Sequence, residues 1–193
     1  MTKSVLLVGV GGQGTILASK LLTIGLMESG YDVRMSEIHG MSQRGGSVSS
    51  QVRYSEDNVY SPVIEIGGAD MIVSFEKMEA LRWLDYLKDK GKIIVNDYQI
   101  NSMPILNGKA EYKGNEIREE LLRVGAKLIN ASKSAIELGN PKTMNIILLG
   151  SLVKSMNLEH IDWNQIISDN VKKEFVDINI EAFKVGMNLV KGE

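Results

Sequence analysis

Short apolar runs broken by glycine alternate with amphipathic stretches along most of this chain. Ser4 to Val8 is an apolar run like those of strands buried on both faces, and glycines follow it at once. From Gln13 to Ser29, the residues Ile16, Leu17, Leu21, Ile24 and Met27 recur at helical spacing, and Gly30 stands where a helix C-terminal cap belongs. Tyr31 to Ser36 reads as a second strand. Residues 37–47 are polar, glycine-rich and without period, which predicts a loop. Val48, Ser50, Val52 and Tyr54 then alternate with Ser49, Gln51 and Arg53, the pattern of a half-buried strand. Met71 to Phe75 and Lys92 to Asn96 predict two more short strands, separated by a helix over Lys77 to Leu87.

Residues 98–113 have no usable period and read as irregular structure or short edge strands. Asn115 to Val124 predicts an amphipathic helix ended by Gly125, and Lys127 to Asn130 a further strand. The rest is helical. Ser132 to Leu138 stops at Gly139, and Pro141 breaks the chain. Thr143 to Met156 is apolar on most sides, which predicts a buried helix. Asp162 and Gln165 resemble a capping box opening a helix through Val171, and a last helix runs from about Ile178 to Val190. There is no repeat or linker, so residues 1–193 read as a single domain. Strands alternating with helices predict an α/β fold: a Rossmann-like, mostly parallel sheet with helices on both faces, in a three-layer sandwich. The strands at 31–36 and 47–54 are joined too closely for a parallel crossover, so they are expected to pair antiparallel.

Composition removes several function classes. The net charge of -2 offers no basic excess for nucleic acid or an anionic membrane. No segment nears the roughly 18 apolar residues of a membrane span, and the first apolar run is too short for a signal peptide, so the protein is expected to be cytoplasmic. The chain has no cysteine, hence no disulfide, no thiolate nucleophile and no thiolate ligand for zinc or an iron–sulfur cluster. His39 and His160 form no metal-spacing motif, and no metal site is expected.

Chemistry is concentrated in two segments. The first is GVGGQGT, in which Gly9, Gly11 and Gly14 fit G-x-G-x-x-G between a strand and a helix, with Gly12 and Thr15 beside them. Such a loop lets a ligand approach the backbone and aims helix N–H groups at a phosphate. Glu37, 23 residues past Gly14, stands where an acid would bind ribose hydroxyls in a dinucleotide fold. The same glycines could instead serve only close helix–strand packing. The second segment is EIHGMSQRGGS, residues 37–47, expected at the same edge of the sheet. Arg44 suits a carboxylate or phosphate, Ser42 and Gln43 add neutral hydrogen bonding, His39 adds an imidazole that could serve as an acid or base, and Gly45 and Gly46 open backbone geometry. Taken singly, His39 could be a structural hydrogen-bonder, Arg44 a solvated side chain, and the glycine pair a sharp turn. The methionines Met41, Met71, Met78, Met144 and Met156 fit either a core or an interface.

Together, GVGGQGT and the Glu-x-His-Gly-Met-x-Gln-Arg-Gly-Gly stretch from Glu37 to Gly46 resemble the pyruvate/ketoisovalerate oxidoreductase gamma family. Within it they resemble the small subunits of indolepyruvate:ferredoxin oxidoreductases; gamma subunits acting on pyruvate or oxoglutarate carry a Tyr-Gly-Pro type of lead into Arg-Gly-Gly. AIELGNPKTMNIILLG, with Asn145 and Gly150, looks like the family's helix-break-helix, and NIEAFKVG like its final helix. The likeness therefore spans nearly the whole chain.

The resemblance implies a division of labour. A large partner subunit would carry thiamine diphosphate, magnesium and iron–sulfur clusters, coenzyme A would be the co-substrate, and ferredoxin would receive the electrons. This chain would be inactive alone and would supply one edge of a shared active site. Gly9, Gly11, Gly12, Gly14, Thr15, Glu37, Gly45 and Gly46 would form the binding loops, with His39, Gln43 and Arg44 in supporting catalytic roles. Two other readings stay open: a self-sufficient nucleotide-dependent oxidoreductase, which tight NAD(P) or FAD binding would reveal, and a non-catalytic anion-binding module, which failure of every partner to confer activity would favour.

Overall fold

A computed structural model describes residues 1–40 and 45–190. Six strands form one sheet: β1 (Lys3–Val10), β2 (Asp32–His39), β3 (Ser47–Ser55), β4 (Ala69–Ser74), β5 (Leu87–Asn96) and β6 (Lys127–Ile129), in the order β2-β3-β1-β4-β5-β6. β1, β4, β5 and β6 are mutually parallel. β3 is antiparallel to both neighbours, β1 and β2. The hairpin expected from the short connection is present, and it places an extra strand between β1 and β2.

Alternation along β1 splits the core in two. Val5 and Leu7 face one side, against α1 (Thr15–Glu28), α6 (Met144–Ser155), α7 (Trp163–Asn170) and α8 (Val176–Leu189). Leu6 and Val8 face the other, against α2 (Lys77–Arg82) and α4 (Gly114–Arg123). The three-layer sandwich follows. Every residue from Met144 to Val153 is buried, as a helix apolar on most sides requires. α8 crosses α6 at glycines: a Cβ on Gly186 would collide with the carbonyl of Ile147, and one on Gly150 with the carbonyl of Phe183. Ser151 Oγ donates to the Gly186 carbonyl at 2.8 Å across the same seam. No described helix is long and apolar enough to cross a membrane.

Several elements depart from their sequence patterns. β2 runs on through Glu37 to His39, residues whose composition predicts loop, because the hairpin supplies each with a partner on β3, Ser50 and Val48 respectively. β3 is buried on both faces rather than half-buried. Its polar face is covered by residues 56–68, where Gln51 Oε1 accepts the Ile64 N–H at 2.6 Å and Arg53 donates to the carbonyls of Ser61 and Val63. The helix expected over 77–87 ends at Arg82; a 3₁₀ turn, Leu84–Tyr86, follows and β5 begins at Leu87. Residues 98–113 contain one helical turn, α3 (Met103–Leu106), and no strand. α5 (Ala131–Glu137) precedes a 3₁₀ turn at Pro141–Thr143. Asp162 caps α7 by accepting the Gln165 N–H at 3.2 Å, but the Gln165 side chain reaches Asp169 and does not close the box.

Candidate functional site

β1 ends against the glycine loop, and the loop is built to hold the backbone close. Gln13 folds back over it: Oε1 accepts the Val10 N–H at 2.8 Å, and Nε2 donates to the Phe75 carbonyl at 2.9 Å, tying the ends of β1 and β4 together. Gly9 is required by that approach, since a Cβ there would lie 2.9 Å from both Gln13 Oε1 and Phe75 Cβ. Gly14, at φ +81°, is the N-cap of α1 and makes no side-chain cap bond. The first turn of α1 therefore offers N–H groups and the positive end of its dipole, with no acidic side chain in that turn to occupy them.

The loop opens onto a groove of about 910 Å³. Gly11 to Gly14 and Leu17 form one side, and the segment from Asn140 to Asn145 another. Asn170 to Lys172 with Phe175, together with Tyr98 and Ile100, complete it. Asn145 joins two sides, its Nδ2 donating to the Gly14 carbonyl at 3.3 Å. Its Oδ1 is buried and has no partner among the described residues. No carboxylate is among the described residues that line the groove, whereas Lys142 and Lys172 do line it. Both lysines are exposed and neither makes an ion pair among the described residues. Two helix N-termini, those of α1 and α6, also reach it. Ile136 and Met144 add to Leu17, Ile100 and Phe175 as an apolar wall, and Ser132, Asn170 and Asn179 are neutral polar side chains beside it. This combination suits a ligand with an anionic part and an apolar part.

The sequence-predicted site residues separate into groups. Gly11, Gly12 and Gly14 line the groove. Thr15 is buried as the first residue of α1. Gly46 lies against the glycine loop, its carbonyl accepting the Gly11 N–H at 2.9 Å, so that N–H is committed to the second loop. Gly45 precedes it in the left-handed region, φ +79°. Glu37 does not reach the groove: its Oε1 accepts Ser19 Oγ of α1 at 3.1 Å, and β3 stands between its strand and β1. Two strand spacings, about 10 Å, separate that carboxylate's strand from β1, where a dinucleotide fold needs one spacing. His39 is exposed at the end of β2, opposite Val48. Gln43 and Arg44 lie outside the described residues. Lys142, Lys172, Tyr98 and Ile100 were not singled out by pattern; the Asn140–Pro141 break before a buried helix is the signal that marks the first.

Residues 4–189 match the family described as pyruvate ferredoxin/flavodoxin oxidoreductase. The chain belongs to this family. Among members of the pyruvate ferredoxin/flavodoxin oxidoreductase family, it is 38% identical to the indolepyruvate oxidoreductase subunit IorB of Pyrococcus horikoshii, with 97% of this chain and 96% of that one covered. A keto/oxoacid ferredoxin oxidoreductase gamma subunit from Geobacter sulfurreducens has the same fold, with a TM-score of 0.70 at 19% identity over 97% of each chain. So does part of a 2-oxoglutarate:ferredoxin oxidoreductase from Magnetococcus marinus that was solved with 2-oxoglutarate, coenzyme A and succinyl-CoA. There the TM-score is 0.74 at 23% identity, covering 98% of this chain and 31% of that one. Among the described residues, no three His, Asp or Glu side chains gather as a metal site.

Proposed function

We propose that this chain is the small subunit of an indolepyruvate-type 2-oxoacid:ferredoxin oxidoreductase, acting as one unit beside a larger subunit. The observation that carries the reading is likeness over nearly the full length, at 33 to 38% identity, to four IorB subunits. Likeness to 2-oxoglutarate synthase subunits is weaker, at 23 to 25%. The larger subunit carries thiamine diphosphate, magnesium and the iron–sulfur clusters. This chain has no cysteine with which to ligate a cluster. The cofactors supply decarboxylation and electron transfer to ferredoxin, and coenzyme A takes the acyl group.

The groove is where coenzyme A binds. Its N-terminal helix ends and Lys142 and Lys172 meet the phosphates, and its apolar wall takes the pantetheine or the base. Gly11, Gly12 and Gly14 give the ligand access to the backbone. By the family resemblance, Arg44 would meet an anionic group, either a coenzyme A phosphate or the substrate carboxylate, and His39 and Gln43 would touch the partner or the thiamine region.

Mixing the chain with the large subunit from the same organism tests the reading. Coenzyme A-dependent dye or ferredoxin reduction should arise only in the mixture and be fastest with aryl pyruvates. No activity in any mixture would return the chain to the class of anion-binding modules. Arg44→Ala should weaken turnover of the complex without unfolding the subunit, and unchanged kinetics for coenzyme A and 2-oxoacid would remove Arg44 from the site.

A further inference from the structure

α2 starts at a carboxylate that water hardly reaches. Glu76 is 1% exposed. Its Oε2 caps the helix by accepting the Glu79 N–H at 3.0 Å. Its Oε1 accepts the Tyr112 hydroxyl at 2.6 Å and the Ile100 N–H at 3.3 Å. A helix of six residues needs no buried glutamate for its cap; Ser, Thr or Asn would do that while costing less to desolvate. The longer side chain reaches donors outside the helix. Two of its three partners belong to the segment after β5, and that segment supplies Tyr98 and Ile100 to the groove.

Neighbouring bonds act in the same direction. The Lys77 N–H donates to the Tyr98 carbonyl at 3.1 Å, and Lys77 Nζ pairs with Asp97 at 2.9 Å. Arg118 of α4 pairs with the same carboxylate. Burial first, then the bond to Glu76, keeps the Tyr112 phenol protonated well above the usual tyrosine range, so it stays a donor. The start of α2 thereby fixes residues 97–100 although they belong to no helix or strand.

We propose that Glu76 is a positioning residue: it holds Tyr98 and Ile100 in the groove wall, and so sets how tightly the groove takes its ligand without acting on the chemical step. This rests on the reading that coenzyme A is that ligand. The test uses the assembled complex with Glu76→Gln and Tyr112→Phe in this chain. With only part of the worth of a hydrogen bond to a charged group passed on to the groove, KM for coenzyme A should rise by about three- to tenfold, with kcat unchanged within about twofold and KM for the 2-oxoacid unmoved. The double variant should cost less than the two singles combined, because both disturb the contact between Glu76 and Tyr112. An unchanged KM for coenzyme A in both variants, or a fall in kcat alone as from a partly unfolded population, would overturn the proposal. Equilibrium titration with coenzyme A separates the two readings. If the wild-type complex turns over no 2-oxoacid yet binds coenzyme A, the oxidoreductase reading falls and the shift in Kd decides for or against Glu76. If it binds none, the proposal falls too.

Discussion

Gly14 carries two constraints that a single substitution can separate. Its φ of +81° lies in the left-handed region, and an added Cβ would fall within contact of Asn145 Nδ2 and 3.0 Å from Asn145 Cγ. Gly12 shares the first constraint alone, with φ +98° and nothing within 4 Å of an added Cβ. Gly12→Ala should therefore cost the backbone term, about 1 to 2 kcal/mol. Gly14→Ala should cost that and about 2 kcal/mol more, because Asn145 must swing away, lose its 3.3 Å bond to the Gly14 carbonyl and disturb a packed site. Urea unfolding of the two variants and the wild type, analysed at constant m, measures the difference. A cycle with Asn145→Ala sharpens it: removing the obstructing amide should return about 1 to 2 kcal/mol in the Gly14→Ala background. Equal costs for Gly12→Ala and Gly14→Ala, or an additive cycle, would refute the collision and with it the claim that Asn145 couples the glycine loop to the opposite side of the groove.

Gly186→Ala should destabilise by about 3 kcal/mol or more in the same urea assay, since the intruding methyl meets the backbone of Ile147 and parting the helices breaks the Ser151 to Gly186 bond; a loss below about 1 kcal/mol would mean that α6 and α8 slide freely. In alkali, Tyr54 and Tyr112 should resist ionisation. Burial raises both phenols above the ordinary value of 10.0, with Tyr31 adding to it at Tyr54 and the Glu76 bond at Tyr112. A raised pKa gives stability that is complete below pH 10 and is lost as pH climbs through the folded value. Tyrosinate absorbance from these two should thus rise together with the loss of the circular dichroism signal, and earlier ionisation in Tyr54→Phe and Tyr112→Phe difference spectra would contradict the burial.

The pattern reveals an element where one physical influence dominates it. β1, β4 and α6 stand out as near-continuous apolar runs because they are buried almost all round, and α1 by its recurring apolar positions, and their places match the reading from sequence. β3 misleads because Ser49, Gln51 and Arg53 look solvent-facing, while all are shielded from water or nearly so, Gln51 and Arg53 by the aperiodic segment 56–68 from outside the strand. Glu37 misleads in another way: its distance from Gly14 fits a ribose-binding acid, but spacing cannot report that an antiparallel strand will be inserted beside β1. The glycine loop could be located from sequence since its chemistry is local. Its groove could not, because Tyr98, Lys142 and Lys172 come from three connections far apart in the chain and meet only through the order of the strands.

That inserted strand also bears on how the chain assembles. β2 and β3 are joined by residues 40–46 alone, whereas β1 reaches its parallel neighbour β4 only after the whole hairpin and the segment that follows have been traversed. Short closures cost less chain entropy and hairpins register within about 1 to 10 μs, so the hairpin can serve as the template on which β1 is laid. The seam between β1 and β3, where Gly11 meets Gly46, then forms ahead of the wall that follows β5. Substitutions in the hairpin should accordingly retard folding, and those in β5 should chiefly hasten unfolding, a polarity that the two limbs of a chevron plot would display.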